Sequence, residues 1–404
     1  MGRTGQHAVV IGGSIAGLCA ARVLADFYDT VSVFDRDDLP DGPQNRSAIP
    51  QDRHLHLLMA RGALEFDTLF PGLLDDMVAA GVPVLENRPD AIHFGAAGHV
   101  LGMGHTLRDD FTAYVPSRPH LEWQLRRRVN AMDTVTIATG VAAVPLFDRD
   151  RQRVTGVRLD DPEASVVDAD LVVDASGRGT RLPAWLDEWG FERPREDTVE
   201  VGISYATHQV RMSDATIEDA IPAVIVAGAS RRQPRGLGML RYEDGTWVLT
   251  TFGVAKTEPP QDFSGMCALA DAVLPPHMST ALRSAAPIGP VALHRYPTSR
   301  WRRYDEMTRF PTGIIPFGDA VVSFNPTFGQ GMTMTSIQAT NLRGVLESGD
   351  PDIAGQLSRA TAKTTYPVWT MNAVGDLILH RAKGAQPWWY RPVGRLFVQF
   401  LGAA

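Results

Sequence analysis

The chain has 404 residues, 44% hydrophobic and 21% charged, which is enough apolar material for a large core and two domains. A formal net charge of −7 argues against a nucleic-acid surface, and the arginine runs at Arg126–Arg128 and Arg231–Arg232 read as solvated faces. No run of 18 apolar residues is present to span a bilayer. Lysine occurs only at positions 256, 363 and 383, so arginine carries nearly all the positive charge. The two cysteines, Cys19 and Cys267, have no metal-ligand spacing, and no metal site is expected. The opening residues run straight into a strand without a signal pattern, so a reducing cytoplasm is the expected setting.

The stretch from Ala8 to Asp35 organises everything after it. AVVIGG, SIAGLCAARVLADF and TVSVFD read as strand, glycine turn, helix and second strand. Ala8–Ile11 is apolar and β-branched, as in a strand buried on both faces. The turn holds Gly12, Gly13, Ser14, Ala16 and Gly17, with Ser14 standing at the second glycine of G-x-G-x-x-G. Asp35 ends the second strand at the spacing where a dinucleotide-binding unit places an acid on a ribose hydroxyl. The helix N-terminus would then face a pyrophosphate with its free N–H groups and dipole.

Beyond Asp35 a turn-rich loop leads to IPQDRHLHLLMARGALEF, whose Leu55, Leu58, Met59, Leu64 and Phe66 predict a helix. His54 and His56, two apart on such a helix, cannot share a metal. Residues 82–115 turn short and β-like. A helix follows over 117–129 with Leu121, Leu125 and Val129 on one face. Strands are expected at Val135–Ile137, Val154–Leu159 and Leu171–Val173, the last running into the glycine-rich DASGRGTR of 174–181. Residues 182–300 form another compartment, with a strand in VEVGISYATHQV, a hairpin turning at Asp244-Gly245, and proline-interrupted helix over 264–286. Residues 312–342 read as a strand ending at Phe317, a Gly318-Asp319 turn, a second glycine turn and a helix from about Met332. The tail from Asp352 is helical, and Trp388, Trp389 and Tyr390 are read as part of a packed terminal helix.

Three separated stretches, GGSIAG with Asp35, DASGRGTR, and PFGDA…NPTFGQGM, together resemble the FAD-dependent monooxygenases of the para-hydroxybenzoate hydroxylase type over nearly the whole chain. The resemblance implies an α/β fold: a Rossmann-like FAD-binding domain, an interleaved, mainly β substrate domain, and C-terminal helices. The expected segments are 1–82, 113–182 and 296–345 for FAD, 83–112 and 183–295 for substrate, and 346–404 for the helical tail. It further implies that Asp319 bonds the ribityl chain, and that Pro326, Gly329, Gln330, Gly331 and Met332 lie by the flavin ring. Arg36 falls among the cofactor-binding residues, Arg46 close to the flavin and pyrophosphate, Ser47, Ala48 and Ile49 along the ring, and Arg118 in S-R-x-x-L on the cofactor side. In the family's D-G-x-x-S-x-x-R loop Asp174 and Arg181 match, whereas Ala175 and Arg178 depart from it.

The same resemblance implies an oxidoreductase cycle in which FAD, reduced by NAD(P)H or by a separate flavin reductase, meets O2 to give a flavin 4a-hydroperoxide. That species oxygenates an electron-rich alkene or aromatic ring, so no catalytic side chain is named. GGSIAGL, IPQDRHLHLLMARG, DASGRGTRLPAWL and FNPTFGQGM look most like bacterial epoxidases of polyketide and polyether biosynthesis, implying epoxidation of a small apolar substrate in secondary metabolism. A flavin halogenase, an isoprenoid double-bond reductase and a non-enzymatic flavin-binding protein are the alternatives.

Overall fold

The computed structural model describes residues 4–47, 49–86, 92–96, 98–100, 112–212, 223–230, 232–379, 382–385 and 390–403. Ala48, Arg231, Trp388 and Trp389 lie outside the described residues. The first unit forms as its pattern predicts: β1 (Gly5–Ile11), α1 (Ile15–Leu24) and β2 (Tyr28–Phe34), with β1 and β2 parallel. A five-stranded parallel sheet is built around it, in the order Ile314–Pro316, Leu171–Asp174, β1, β2, Val135–Ala138. Side chains alternate across the sheet. Ala8 and Val10 pack with α1 and with Leu121, Leu125 and Leu342 from later helices, while Val9 and Ile11 pack on the other face with Val157, Leu182 and Trp185. That second face is covered by a small antiparallel sheet (Ala143–Asp148, Arg153–Leu159, Val166–Asp168) and the helix Leu182–Glu188.

The second layer is a large, mostly antiparallel sheet. Its order is Val322–Ser323, Ala286–Arg302, Glu196–Arg211, Trp247–Gly253, Arg235–Arg241, Val224–Ala227, Ile92–Ala96 and His99–Val100. The Asp244-Gly245 hairpin forms as read, with Gly245 at φ +75° and Thr246 N–H donating to Asp244 Oδ1 at 2.9 Å. One face is sealed by Ala206, Leu237 and Leu249 against Met266, Leu269 and Leu282 of the helices Phe263–Val273 and Pro276–Arg283. On the other face Ile203, Tyr205 and Tyr296 pack with Val374, Leu377 and Ile378 of the long helix Ile353–Leu379. Tyr390, at the start of the helix Tyr390–Ala403, joins that cluster.

One expectation is corrected. The helix expected through Leu55 and Leu58 begins only at Ala60, after a 3-10 turn at Pro50–Arg53 and an irregular segment. Leu58 instead exchanges both backbone hydrogen bonds with Tyr114, and Leu55 seats against Gly238, where a Cβ would come within 2.7 Å of it. His54 and His56 lie in the irregular segment and are not held apart by helical spacing. The strand Ala286–Arg302 runs unbroken through position 296. Among the described residues no helix is long and apolar enough to cross a membrane, and no group of three or more His, Cys, Asp or Glu could hold a metal. Cys19 and Cys267 are buried and unbridged.

Candidate active site

The three glycine-rich stretches lie more than 130 residues apart in sequence, and parallel pairing brings them together. Ile11 is in register with Asp174 and Phe34, and Asp174 with Pro316, so the three loops leave the same carboxyl-end edge. They are fastened by backbone bonds: Gly12 N–H to Phe34 O at 2.8 Å, Ala175 N–H to Ile11 O at 2.9 Å and Phe317 N–H to Asp174 O at 2.9 Å. Packing is tight. A Cβ on Gly17 would sit 1.8 Å from Gly12 O, one on Gly12 (φ +103°) 2.6 Å from Ala175 O, and one on Gly318 (φ +63°) 2.7 Å from Ala16 Cβ. Only glycine fits at these contacts.

Around the first turn is a buried network of ions. Asp35 Oδ2 accepts the Gly13 N–H at 2.7 Å, and its Oδ1 accepts Arg46 Nη2 at 2.9 Å. Arg46 also donates to Asp37 at 3.1 Å and to Glu122 at 2.8 Å. Ser14 donates to Glu122 at 2.8 Å and accepts from Arg118 at 2.9 Å; Arg118 in turn binds Asp52. Burial pulls the Arg46 guanidinium down, but Glu122 and Asp35 outweigh it and hold it above its usual range. Burial pushes the Asp52 carboxyl up against the opposing pull of Arg118. Thus Arg46, expected close to the flavin and pyrophosphate, and Arg118, expected on the cofactor side, meet as counter-ions of Asp35, Asp52 and Glu122, and Arg118 braces Ser14. Arg36 and Ser47 are exposed and Ile49 is half-buried.

Asp174 is fully buried, and its carboxylate accepts from Ser176 and Thr180 within its own loop. It ties the loop to the strand end. Arg178 extends over the Tyr296 ring at 4.3 Å and Arg181 over Trp185 at 5.9 Å. Asp319 lies in the turn Gly318–Ala320, held where Gly318 N–H donates to Gln338 Oε1 at 2.7 Å. Its carboxylate has no hydrogen-bond partner among the described residues; burial raises its pKa while Arg118, Arg178 and Arg302 pull it down. A small cavity lined by Gly318, Asp319, Gly331 and Gln338 links this turn to the helix Gly331–Ser348. Pro326 opens a tight turn that Gly329 closes at φ +67°. Gln330, at the helix N-cap, makes no side-chain cap bond, so the leading N–H groups are left for a partner from outside the helix. A Cβ on Gly329 or Gly331 would meet nothing within 4 Å, and Met332 is half-buried against the core.

The sequence reading missed Glu122, Asp52, Arg302 and Gln338. Arg118, Glu122 and Arg126 form an i, i+4 stripe on one helix, a spacing that could have flagged Glu122. Nothing local marks Arg302. It is 3% exposed and donates to Arg178 O at 2.9 Å and Ala320 O at 3.1 Å, joining two cofactor loops from a strand of the other sheet.

These features define a class. Among solved structures, p-nitrophenol 4-monooxygenase PnpA of Pseudomonas putida matches with a TM-score of 0.69 at 15% identity, over 98% of this chain and 94% of that one. A four-substitution variant of PqsL of Pseudomonas aeruginosa matches at 0.65 and 14% identity, over 92% and 95%. The chain has the fold of the FAD-dependent monooxygenases. Protein Rv3254 of Mycobacterium tuberculosis is 64% identical over 416 aligned positions, spanning 100% of this chain and 87% of that protein, and the chain belongs to its family. Kynurenine 3-monooxygenase of Salinispora arenicola is 27% identical over 82% of this chain and 70% of that enzyme. No protein-family model matches.

Proposed function

We propose that the protein is an FAD-dependent monooxygenase that places one oxygen atom of O2 on an electron-rich carbon of a small aromatic or alkene substrate. The observation that carries this is the convergence of the Gly12–Gly17 turn, the 174–181 loop and the Asp319 turn on one edge of the parallel sheet. The residues fit FAD on their own geometry. Asp319 offers a carboxylate without a hydrogen-bond partner among the described residues, the cap at Gln330 leaves backbone donors free, and Gly329 and Gly331 leave room for a flat ring. The N-terminus of α1 would take the pyrophosphate and Asp35 the ribose. Asp319 would hold the ribityl chain, and the N–H groups from Gly331 onward the electron-rich pyrimidine edge. Arg46 and Arg118 keep Asp35 and Ser14 in place for that contact.

FAD, when bound, supplies the two-electron carrier that reacts with O2. The reaction balances with two electrons from NAD(P)H, supplied directly or through a separate reductase: one oxygen atom enters the substrate and the other leaves as water. The chain's own work is to bind, orient and exclude water. PnpA and kynurenine 3-monooxygenase act, by name, on aromatic molecules, which favours ring hydroxylation over epoxidation. A role in secondary metabolism in the cytoplasm is the accompanying proposal.

The apoprotein should bind FAD, and Asp319→Ala should weaken that binding by roughly 1–3 kcal/mol by leaving ribityl hydroxyls unpaired. Labelled O2 with NAD(P)H and candidate substrates should place one labelled atom in product, read by mass spectrometry. A halogenated or saturated product, label arriving from water, or FMN bound in place of FAD would refute the reading.

A further inference from the structure

Behind the Asp319 turn, a small cavity of about 10 Å³ lies between the helices Gly331–Ser348 and Ile353–Leu379. Its polar lining comes from Asp319, Thr335, Gln338, Thr361 and Thr365, and Val322 and Met334 form its apolar wall. Gln338, Thr361 and Thr365 are only 4%, 3% and 0% exposed, yet Gln338 Nε2, Thr361 Oγ1 and Thr365 Oγ1 have no hydrogen-bond partner among the described residues. The Asp319 carboxylate also lacks one there, and Arg118, Arg178 and Arg302 act on it through their charge alone. A threonine inside a helix can satisfy its hydroxyl on the carbonyl four residues earlier. Thr335 does so on Gly331 O at 3.0 Å, and Thr364 donates to Ala360 O and Thr361 O at 3.3 and 3.0 Å. Thr361 and Thr365 make no such bond. Gln338 has given its Oε1 to the Gly318 N–H, so its remaining amide nitrogen can only donate.

Unpaired polar groups on Asp319, Gln338, Thr361 and Thr365 around one space call for a ligand that both donates and accepts. The Asp319 carboxylate disfavours an anion, and the Gln338 N–H group disfavours a cation. A water needs about 10–15 Å³ for its centre and two to four polar partners, and the cavity offers both. We propose that this cavity is a built site for one ordered water, which accepts from Gln338 Nε2, bonds the Thr361 and Thr365 hydroxyls, and donates to the Asp319 carboxylate. Thr361 and Thr365 are then positioning residues. They sit on the helix Ile353–Leu379, in the expected tail segment, and hold the Asp319 carboxylate through the water without touching the flavin. The water site stands without the monooxygenase reading, whereas its bearing on FAD rests on that reading of Asp319.

Thr365→Val, nearly unchanged in volume, reads the site by the sign of its effect on the apoprotein. If the hydroxyl bonds a buried water, its loss leaves that water short of a partner, and the urea midpoint should fall at unchanged slope. If the crevice is dry, the substitution removes an unpaired buried hydroxyl and the midpoint should rise. A midpoint that rises or stays overturns the proposal. So does a high-resolution crystal structure of the FAD-loaded protein with no water in hydrogen-bond reach of Thr361 and Thr365. FAD titration then tests the link to Asp319. Thr365→Val should weaken FAD binding about fivefold, Thr365→Ser should restore it, and Thr365→Val should add nothing in an Asp319→Ala background. Equal losses in the valine and serine variants, or additive losses with Asp319→Ala, overturn the positioning role. A protein that takes up no FAD refutes the monooxygenase reading, while the unfolding test on the apoprotein still reads the water site.

Discussion

Glycines that look equivalent in the sequence are needed for different physical reasons. Gly17 is required by the fold, because a methyl group there would press into Gly12 O at 1.8 Å, while Gly331 borders open space. Gly17→Ala should therefore destabilise the protein by about 1–3 kcal/mol, visible in thermal or urea unfolding of the apoprotein. Gly331→Val should leave that unfolding curve nearly unmoved and instead impair FAD uptake, because its side chain fills the approach to the helix start. Both variants losing stability equally would place Gly331 in the core. Ser14 shows the converse case. It replaces a glycine of the fingerprint, and its hydroxyl bridges Arg118 and Glu122, so the departure adds a contact.

At the scale of elements, the strand Ala286–Arg302 couples the large antiparallel sheet to the loops at the edge of the parallel one. Its last residue, Arg302, holds the carbonyls of Arg178 and Ala320 and approaches Glu196 at 3.3 Å. Removing this buried cation leaves two carbonyls unpaired. Arg302→Met should cost about 3–5 kcal/mol of stability, and hydrogen exchange should quicken first at 175–180 and 318–321. Exchange that rises uniformly along the chain would mean that Arg302 is an ordinary core residue. The segment from His54 to Met59 makes the same point about elements. Its apolar spacing suits a helix, yet pairing of Leu58 with Tyr114 and the bonds of Tyr242 to His54 O and His56 N hold it irregular.

For the whole molecule, the buried imidazoles set the response to acid. Burial lowers His54 to about 4, and burial with Arg118 lowers His56 to about 3, against 6.5 for the unfolded chain. Both are neutral in the fold and take up protons on unfolding, so stability is complete above pH 6.5 and is lost as pH falls toward those folded values. For His54 alone the loss reaches on the order of 2–3 kcal/mol by pH 4. Urea titrations across pH 7 to 4 should show this slope, and His54→Gln should flatten it. A slope unchanged by the substitution would assign the acid sensitivity to other groups.

Local backbone chemistry was legible from residues alone. The strand–glycine turn–helix of 5–34, the Asp244-Gly245 hairpin, the Gly318-Asp319 turn and the helix start at 331 each follow from neighbouring residues, because φ, capping and side-chain periodicity act over a few positions. With the order of the motifs, that was enough to indicate the fold class and the cofactor stretches. Tertiary structure decided what depends on distant partners. Glu122 meets Ser14 across 108 positions, Arg302 reaches Arg178 across 124 and His54 reaches Thr207 across 153. No periodicity encodes such pairs, since they arise only when sheet registers bring separate segments together and burial forces each polar group to find a partner. For that reason the three glycine-rich loops at the parallel-sheet edge were legible in the sequence, whereas the ion network behind them came from packing.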